Sequence, residues 1–154
     1  GEMQLKARFV HIEVSMRVPP SIYFRPTSVD IEQLVRWGWG DWRHCSLSAT
    51  VELMESFGYE LLKLEFFDAI FAAADVAEDL RKLGKLPPGR GKTSPREIEA
   101  MWRDGFYCSP LAADKFDMIS SEMLYDYRRF SDPAKTPRQR LDLLRAHLQS
   151  LPLP

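Results

Sequence analysis

The helical spacing of Leu47, Val51, Met54 and Phe57 stops at Gly58, and Tyr59-Glu60-Leu61-Leu62-Lys63-Leu64 begins at once with strand character. A change of period from about 3.6 residues to about 2 across one glycine fixes a helix–strand junction, with Gly58 just past the helix end. Ser46 or Ser48 supplies the N-cap of that helix. After the break Glu65–Asp68, the run Ala69-Ile70-Phe71-Ala72-Ala73 reads as a second strand, antiparallel to its predecessor. Asp75 is then placed to cap a helix running to Leu83, ended by Gly84. Upstream, Phe9–Val14 is rich in β-branched residues and reads as a strand. Val18-Pro19-Pro20-Ser21 ends it, since proline has no N–H for a ladder. Thr27-Ser28-Val29-Asp30 starts a short helix through about Trp37, closed by Gly38. The first half is therefore α/β.

From Lys85 the character changes. Leu86-Pro87-Pro88-Gly89-Arg90-Gly91-Lys92 has the composition of a linker. Ser94-Pro95-Arg96-Glu97 and Thr136-Pro137-Arg138-Gln139 are both capping boxes with proline at the first helical position. They predict helices over about 95–104 and 137–150, with a third between Leu111 and Phe130. The expected organisation is a half-domain over 1–84, a linker over 85–94 and an α-helical extension over 95–154.

Charge follows the same boundary. Residues 1–80 hold 7 Lys/Arg against 13 Asp/Glu, a net of -6, and residues 81–154 hold 14 against 9, a net of +5. The total of -1 removes any global attraction to nucleic acid or an anionic membrane. The basic half lacks an RNA-binding signature, so nucleic acid is not an expected partner. No apolar run reaches the ~20 residues of a membrane span. The first residues carry no apolar signal segment, and Cys45 and Cys108 are too few for a disulfide framework. Both point to an intracellular, reducing compartment.

Three groups of residues are candidates for chemistry. His11 and Glu13 lie two apart, hence on one face near the end of their strand, where an imidazole and a carboxylate can act as an acid/base pair. The alternative is that Glu13 pairs with an arginine and His11 is a half-buried structural residue. Trp37, Trp39, Trp42 and Trp102, with Arg43, have the composition of a protein-partner interface. Gly89-Arg90-Gly91-Lys92-Thr93 ends like a phosphate-binding loop, but Leu86 stands where that loop needs its first glycine, and a helix precedes it. His44 and Cys45, with Cys108 and His147, lack metal-ligand spacing, so no metal site is expected.

Val10-His11-Ile12-Glu13-Val14 followed by Pro19-Pro20 resembles a late strand of FkbM-type methyltransferases. These are S-adenosylmethionine-dependent enzymes with a Rossmann-like sheet. Cys45-Ser46-Leu47-Ser48-Ala49, with Gly58-Tyr59-Glu60-Leu61-Leu62, is similar to their subsequent helix and strand. Asp68-Ala69-Ile70-Phe71-Ala72-Ala73-Ala74-Asp75 is similar to their closing strand, with Asp68 where asparagine is usual and Ala73 where arginine is common. The resemblance covers about residues 8–80 and implies a partial Rossmann-like sheet of about three strands, mixed, followed by the helical extension.

The family's glycine-rich turn and the acidic residues that hold its cofactor have no counterpart here. The resemblance therefore implies no cofactor bound by this chain alone. It leaves Glu13 as the matched polar residue near a catalytic rim. The expected role is a non-catalytic accessory subunit of a larger protein assembly. The alternative is a partial sequence of an active enzyme that uses S-adenosylmethionine. The opening Gly1, in place of Met, is expected of a processed, trimmed or partial chain.

Overall fold

The computed structural model of the chain describes residues 7–15, 18–27, 44–88 and 92–107, with parts of 132–146. Its elements are β1 (Phe9–Glu13), α1 (Leu47–Ser56), β2 (Tyr59–Glu65), β3 (Asp68–Ala73), α2 (Ala74–Lys82) and α3 (Pro95–Trp102). A short π-helix, Arg103–Tyr107, continues α3. The strands form one sheet in the order β1-β3-β2, with each neighbouring pair antiparallel.

The architecture is α/β, but the expected mixed sheet is not what forms. β1 and β2 point the same way without touching, because β3 turns back through Phe66-Phe67 and inserts between them. The result is a split β-α-β unit, in which α1 carries the long crossover and β3 fills the gap. Composition explains why β3 takes the centre. Ala69, Phe71, Ala72 and Ala73 are all buried, so β3 has apolar side chains on both of its faces. A strand that is apolar on both faces is stable only where both are covered.

Register places Val10, Ile12, Leu61, Leu64, Ala69 and Phe71 on one face of the sheet. The buried members of this set share a core cluster with Leu47 and Val51 of α1, Val76 and Ala77 of α2, and Ile98 and Trp102 of α3. One irregularity makes this possible. The pairing of β2 shifts between Leu61 and Lys63, so Leu62 is an extra residue on that strand. Were Leu62 paired in regular register instead, Lys63 rather than Leu64 would point inward, because side chains alternate with period two.

The helix ends follow from their caps. Ser46 is the N-cap of α1, its Oγ accepting from the Ala49 N–H at 3.4 Å and from the Phe24 N–H at 3.0 Å. Ser48 instead donates to the Pro20 carbonyl. Gly58 closes α1 with φ 74°, as its position after the last apolar residue predicts. The N-cap of α2 is Ala73, not Asp75; Asp75 lies inside the first turn, where its charge complements the helix dipole. The far end of α2 is a Schellman motif. Gly84 N–H donates to Arg81 O and Lys85 N–H to Leu80 O, both at 2.8 Å.

Ser94 and Glu97 form the capping box of α3, with Pro95 at the first position. Thr136 and Gln139 exchange the matching pair of bonds at 2.8 and 3.2 Å, ahead of helical residues 138–140. The helices expected over 27–37 and 111–130 lie outside the described residues, apart from Thr27 itself.

Candidate functional site

The hydrogen bonds Ala73 N–H to Arg8 O and Val14 N–H to Phe67 O fix which way each β1 residue faces. In an antiparallel ladder bonded pairs alternate, so residues 8, 10, 12 and 14 bond toward β3. Phe9, His11 and Glu13 turn their N–H and C=O groups the other way. Among the described residues no strand lies beyond that edge. The side chains of the same three residues lie on the face opposite the core cluster and are themselves exposed, Phe9 by 50%.

The opposite edge of the sheet is treated differently. Gly105 of the π-helix lies against the Leu64 carbonyl of β2, so close that a Cβ there would stand 2.2 Å from the oxygen. The Gly105 carbonyl accepts the Phe66 N–H at 2.9 Å. The end of β2 is thus closed by this chain's own backbone.

Past β1 the chain runs beside residues 44–46. Ser15 N–H donates to Cys45 O at 2.8 Å, and Ser46 N–H donates to Phe24 O at 3.0 Å. This pairing brings His44 Nε2 to 3.3 Å from Glu13 Oε2. Glu13 therefore pairs with a histidine, not an arginine. His11 shares the face of Glu13 but is not part of that contact. Register sets Asp68 opposite both Glu13 and Glu65. Like charges directly opposed weaken a sheet, and each of the outer two carboxylates has a partner, the His44 imidazole for Glu13 and the Lys63 ammonium for Glu65. The hydrogen bond from Lys63, at 2.6 Å, holds the Glu65 carboxyl below its usual range.

Chemically this rim holds an imidazole–carboxylate pair able to accept or release a proton. Among its described residues neither the nearby thiol nor the nearby phenol is activated. Burial pushes the Cys45 thiol up, and burial together with a hydrogen bond to Glu52 does the same to the Tyr23 phenol. Among the described residues no group of three or more His, Cys, Asp or Glu is placed to hold a metal ion. Among them too, no helix is long and apolar enough to cross a membrane.

The sequence pattern missed His44 as the partner of Glu13. The available signal was its place two residues before the Ser46 cap, since a helix that packs on this sheet must start near the end of β1. Trp102 is a correction of another kind. It is 2% exposed and lies in the core cluster, because the π-helix that follows it folds back against β2. It offers no surface to a partner. Trp37, Trp39, Trp42 and Arg43, like Cys108 and His147, lie outside the described residues.

The phosphate-loop likeness at Lys92-Thr93 is occupied from within. Thr93 N–H donates to Glu55 Oε1 at 2.8 Å and Ser94 N–H to Glu97 Oε2 at 2.9 Å. Two backbone donors that such a loop would turn toward a phosphate already face carboxylates.

No family model matches this chain, and neither a curated protein nor a solved structure matches it.

Proposed function

We propose that this chain is the sheet-closing part of a methyltransferase-like fold, and that it acts as a non-catalytic structural subunit whose sheet is continued at β1 by another polypeptide segment. The observation that carries this reading is the unequal treatment of the two sheet edges. Gly105 and the π-helix close the end of β2, whereas Phe9, His11 and Glu13 direct their backbone groups away from β3, with no described strand beyond. An open edge of this kind is a template for strand addition. The FkbM-like motifs over residues 8–80 agree with it, since they fall on β1, α1, β2 and β3 in that order.

A second reading is favoured by the Glu13–His44 pair at 3.3 Å on the rim. Here the continuing segment is an upstream part of the same polypeptide. It would bring the S-adenosylmethionine site, and the pair would then face a substrate. Calorimetric titration of S-adenosylmethionine into this chain alone tests the first reading. No heat of binding is expected, and micromolar binding would overturn it. Titration of a longer polypeptide with a glycine-rich turn upstream tests the second, where binding is the expected result.

The edge itself is tested with His11→Pro. The His11 N–H points outward, so proline there costs no bond to β3 but blocks an added strand. Amide exchange in the unmodified chain should be fast at residues 9, 11 and 13 and slow at 10, 12 and 14. Equal protection of all six would sink the open-edge reading.

A further inference from the structure

The free stretch of the β1 edge is bounded at both ends. Past one end, Ser15 turns its N–H outward as residues 9, 11 and 13 do, but gives it to Cys45 O at 2.8 Å. Past the other, the Ala7 carbonyl accepts from the Tyr59 hydroxyl at 2.9 Å, which holds residue 7 toward β2. Between these limits the backbone groups of Phe9, His11 and Glu13 bond to no described residue. The helices pack chiefly elsewhere, α1 and α3 on β2 and α2 on β2 and β3. The template for an added strand is thus three outward residues, centred on His11.

A second copy of β1 carries the same three outward residues between the same two limits. In antiparallel pairing, outward residues must face outward residues. The registers that join at least two from each copy are centred on residue 10, 11 or 12. The first sets Glu13 opposite Ala7 of the second copy, whose carbonyl is already taken. The last sets Phe9 opposite its Ser15, whose N–H is already given to Cys45. The register centred on His11 avoids both and matches every free group: His11 faces His11, and Phe9 faces Glu13 at each end.

The two-fold axis of this register stands perpendicular to the sheet, so both core faces stay on the same side. Val10 then lies opposite Ile12 of the second copy, and Ile12 opposite its Val10, pairing half-buried β-branched side chains. On the outer face Glu13 meets an exposed Phe9 ring. The two rows of Glu13, Asp68 and Glu65 fall at opposite ends of the paired strands, with no carboxylate of one copy opposed to one of the other. Parallel pairing through the same edge would turn one core face to the opposite side.

We propose that the segment continuing the sheet is β1 of a second copy of this chain, antiparallel and centred on His11, which joins two sheets into one across a two-fold axis. This rests on the open-edge reading above and names its partner. A contact along one short strand falls at the small end of specific interfaces, below about 1,200 Å². The dimer therefore forms and dissociates with concentration.

Sedimentation velocity over a concentration series of the full chain, with amide exchange on the same samples, tests the proposal. The expected result is a monomer–dimer equilibrium. Protection at residues 9, 11 and 13 should rise with the dimer fraction, from fast exchange in the dilute monomer. Phe9→Lys and Phe9→Glu, both changes at an exposed position, fix the register. Each new charge stands opposite Glu13 of the second copy, so lysine should tighten the dimer and glutamate weaken it, by at least ~5-fold between the two. His11→Pro, which keeps the bonds to β3, should remain monomeric. A chain that stays monomeric throughout while residues 9, 11 and 13 exchange fast overturns the second copy and leaves the open edge standing. Protection of these residues in the monomer removes the open edge itself, and this proposal with it. A dimer that His11→Pro leaves intact, or that Phe9→Glu holds as tightly as Phe9→Lys, overturns the proposed pairing.

Discussion

The Phe66 amide donates a 2.9 Å hydrogen bond to the Gly105 carbonyl, tying the turn of the β2–β3 hairpin to the π-helix after α3. Phe66 holds φ at 58°, a conformation that costs a bulky L-residue about 1–3 kcal/mol. Burial of its ring, 4% exposed and tilted on Phe67 with centroids 4.9 Å apart, opposes that strain. Phe66→Gly therefore relieves the backbone but removes a buried ring. The net expectation is a loss of about 2–4 kcal/mol by urea denaturation, and a variant as stable as the parent would show that the ring contributes little.

Gly105→Ala tests the other half of the same contact. The new methyl would stand 2.2 Å from the Leu64 oxygen and 2.9 Å from the Leu64 Cβ. Backbone must move on one side or the other, so a loss of about 2 kcal/mol or more is expected. The Phe66 amide, freed from Gly105, should exchange faster in this variant.

Ser46 joins the start of α1 to Phe24, a residue 22 positions earlier. Its hydroxyl serves two backbone donors and the residue is fully buried, so Ser46→Ala leaves both N–H groups without that acceptor. A loss of about 1–3 kcal/mol is expected. Ser48→Ala should cost less, because Ser48 caps no helix. A reversed order would mean that α1 starts at a different residue.

Deleting Leu62 should be tolerated better than deleting either neighbour. With Leu62 gone, Leu61 and Lys63 become adjacent, and the pairings Leu61↔Phe71 and Lys63↔Ile70 join into one regular ladder. The alternation of buried and exposed residues continues without a break. Thermal unfolding of this deletion, set against deletions of Leu61 and Lys63, checks the point. Either neighbour's deletion being the milder one would place the extra residue elsewhere.

The raised Cys45 thiol and Tyr23 phenol contribute to a loss of stability at alkaline pH. Burial is the main cause in both, and it disfavours the ionised form in the folded chain. The unfolded chain then releases these protons at lower pH than the folded one. Stability is full below the ordinary thiol range and falls as pH rises through the thiol and phenol ranges, about 8.5 to 10 and upward. Alkylation of Cys45 by iodoacetamide near neutral pH should correspondingly be slower than that of an unfolded-chain cysteine. Rapid alkylation in the folded state would contradict its burial.

Much of the fold can be read along the chain because the signals that produce it are local. Gly58 and Gly84 end helices by accepting positive φ, and Ser94 with Glu97, like Thr136 with Gln139, closes bonds within four residues. The two apolar periods separate α1 from β2 without reference to anything distant. The Glu13–His44 contact was not legible in this way. It joins residues 31 apart and exists only because residues 44–46 run beside the end of β1.

The sequence alone determined the order strand, helix, strand, strand, helix, since spacing and caps act over a few residues. It determined the −6 to +5 division of charge as well. Tertiary structure decided that β3 and not β1 or β2 is central, that Leu62 is the residue left out of the ladder, and that Trp102 is core and not surface. Those outcomes depend on which apolar faces find cover. Burial is a relation between distant segments, and no local pattern states which pair of faces will meet.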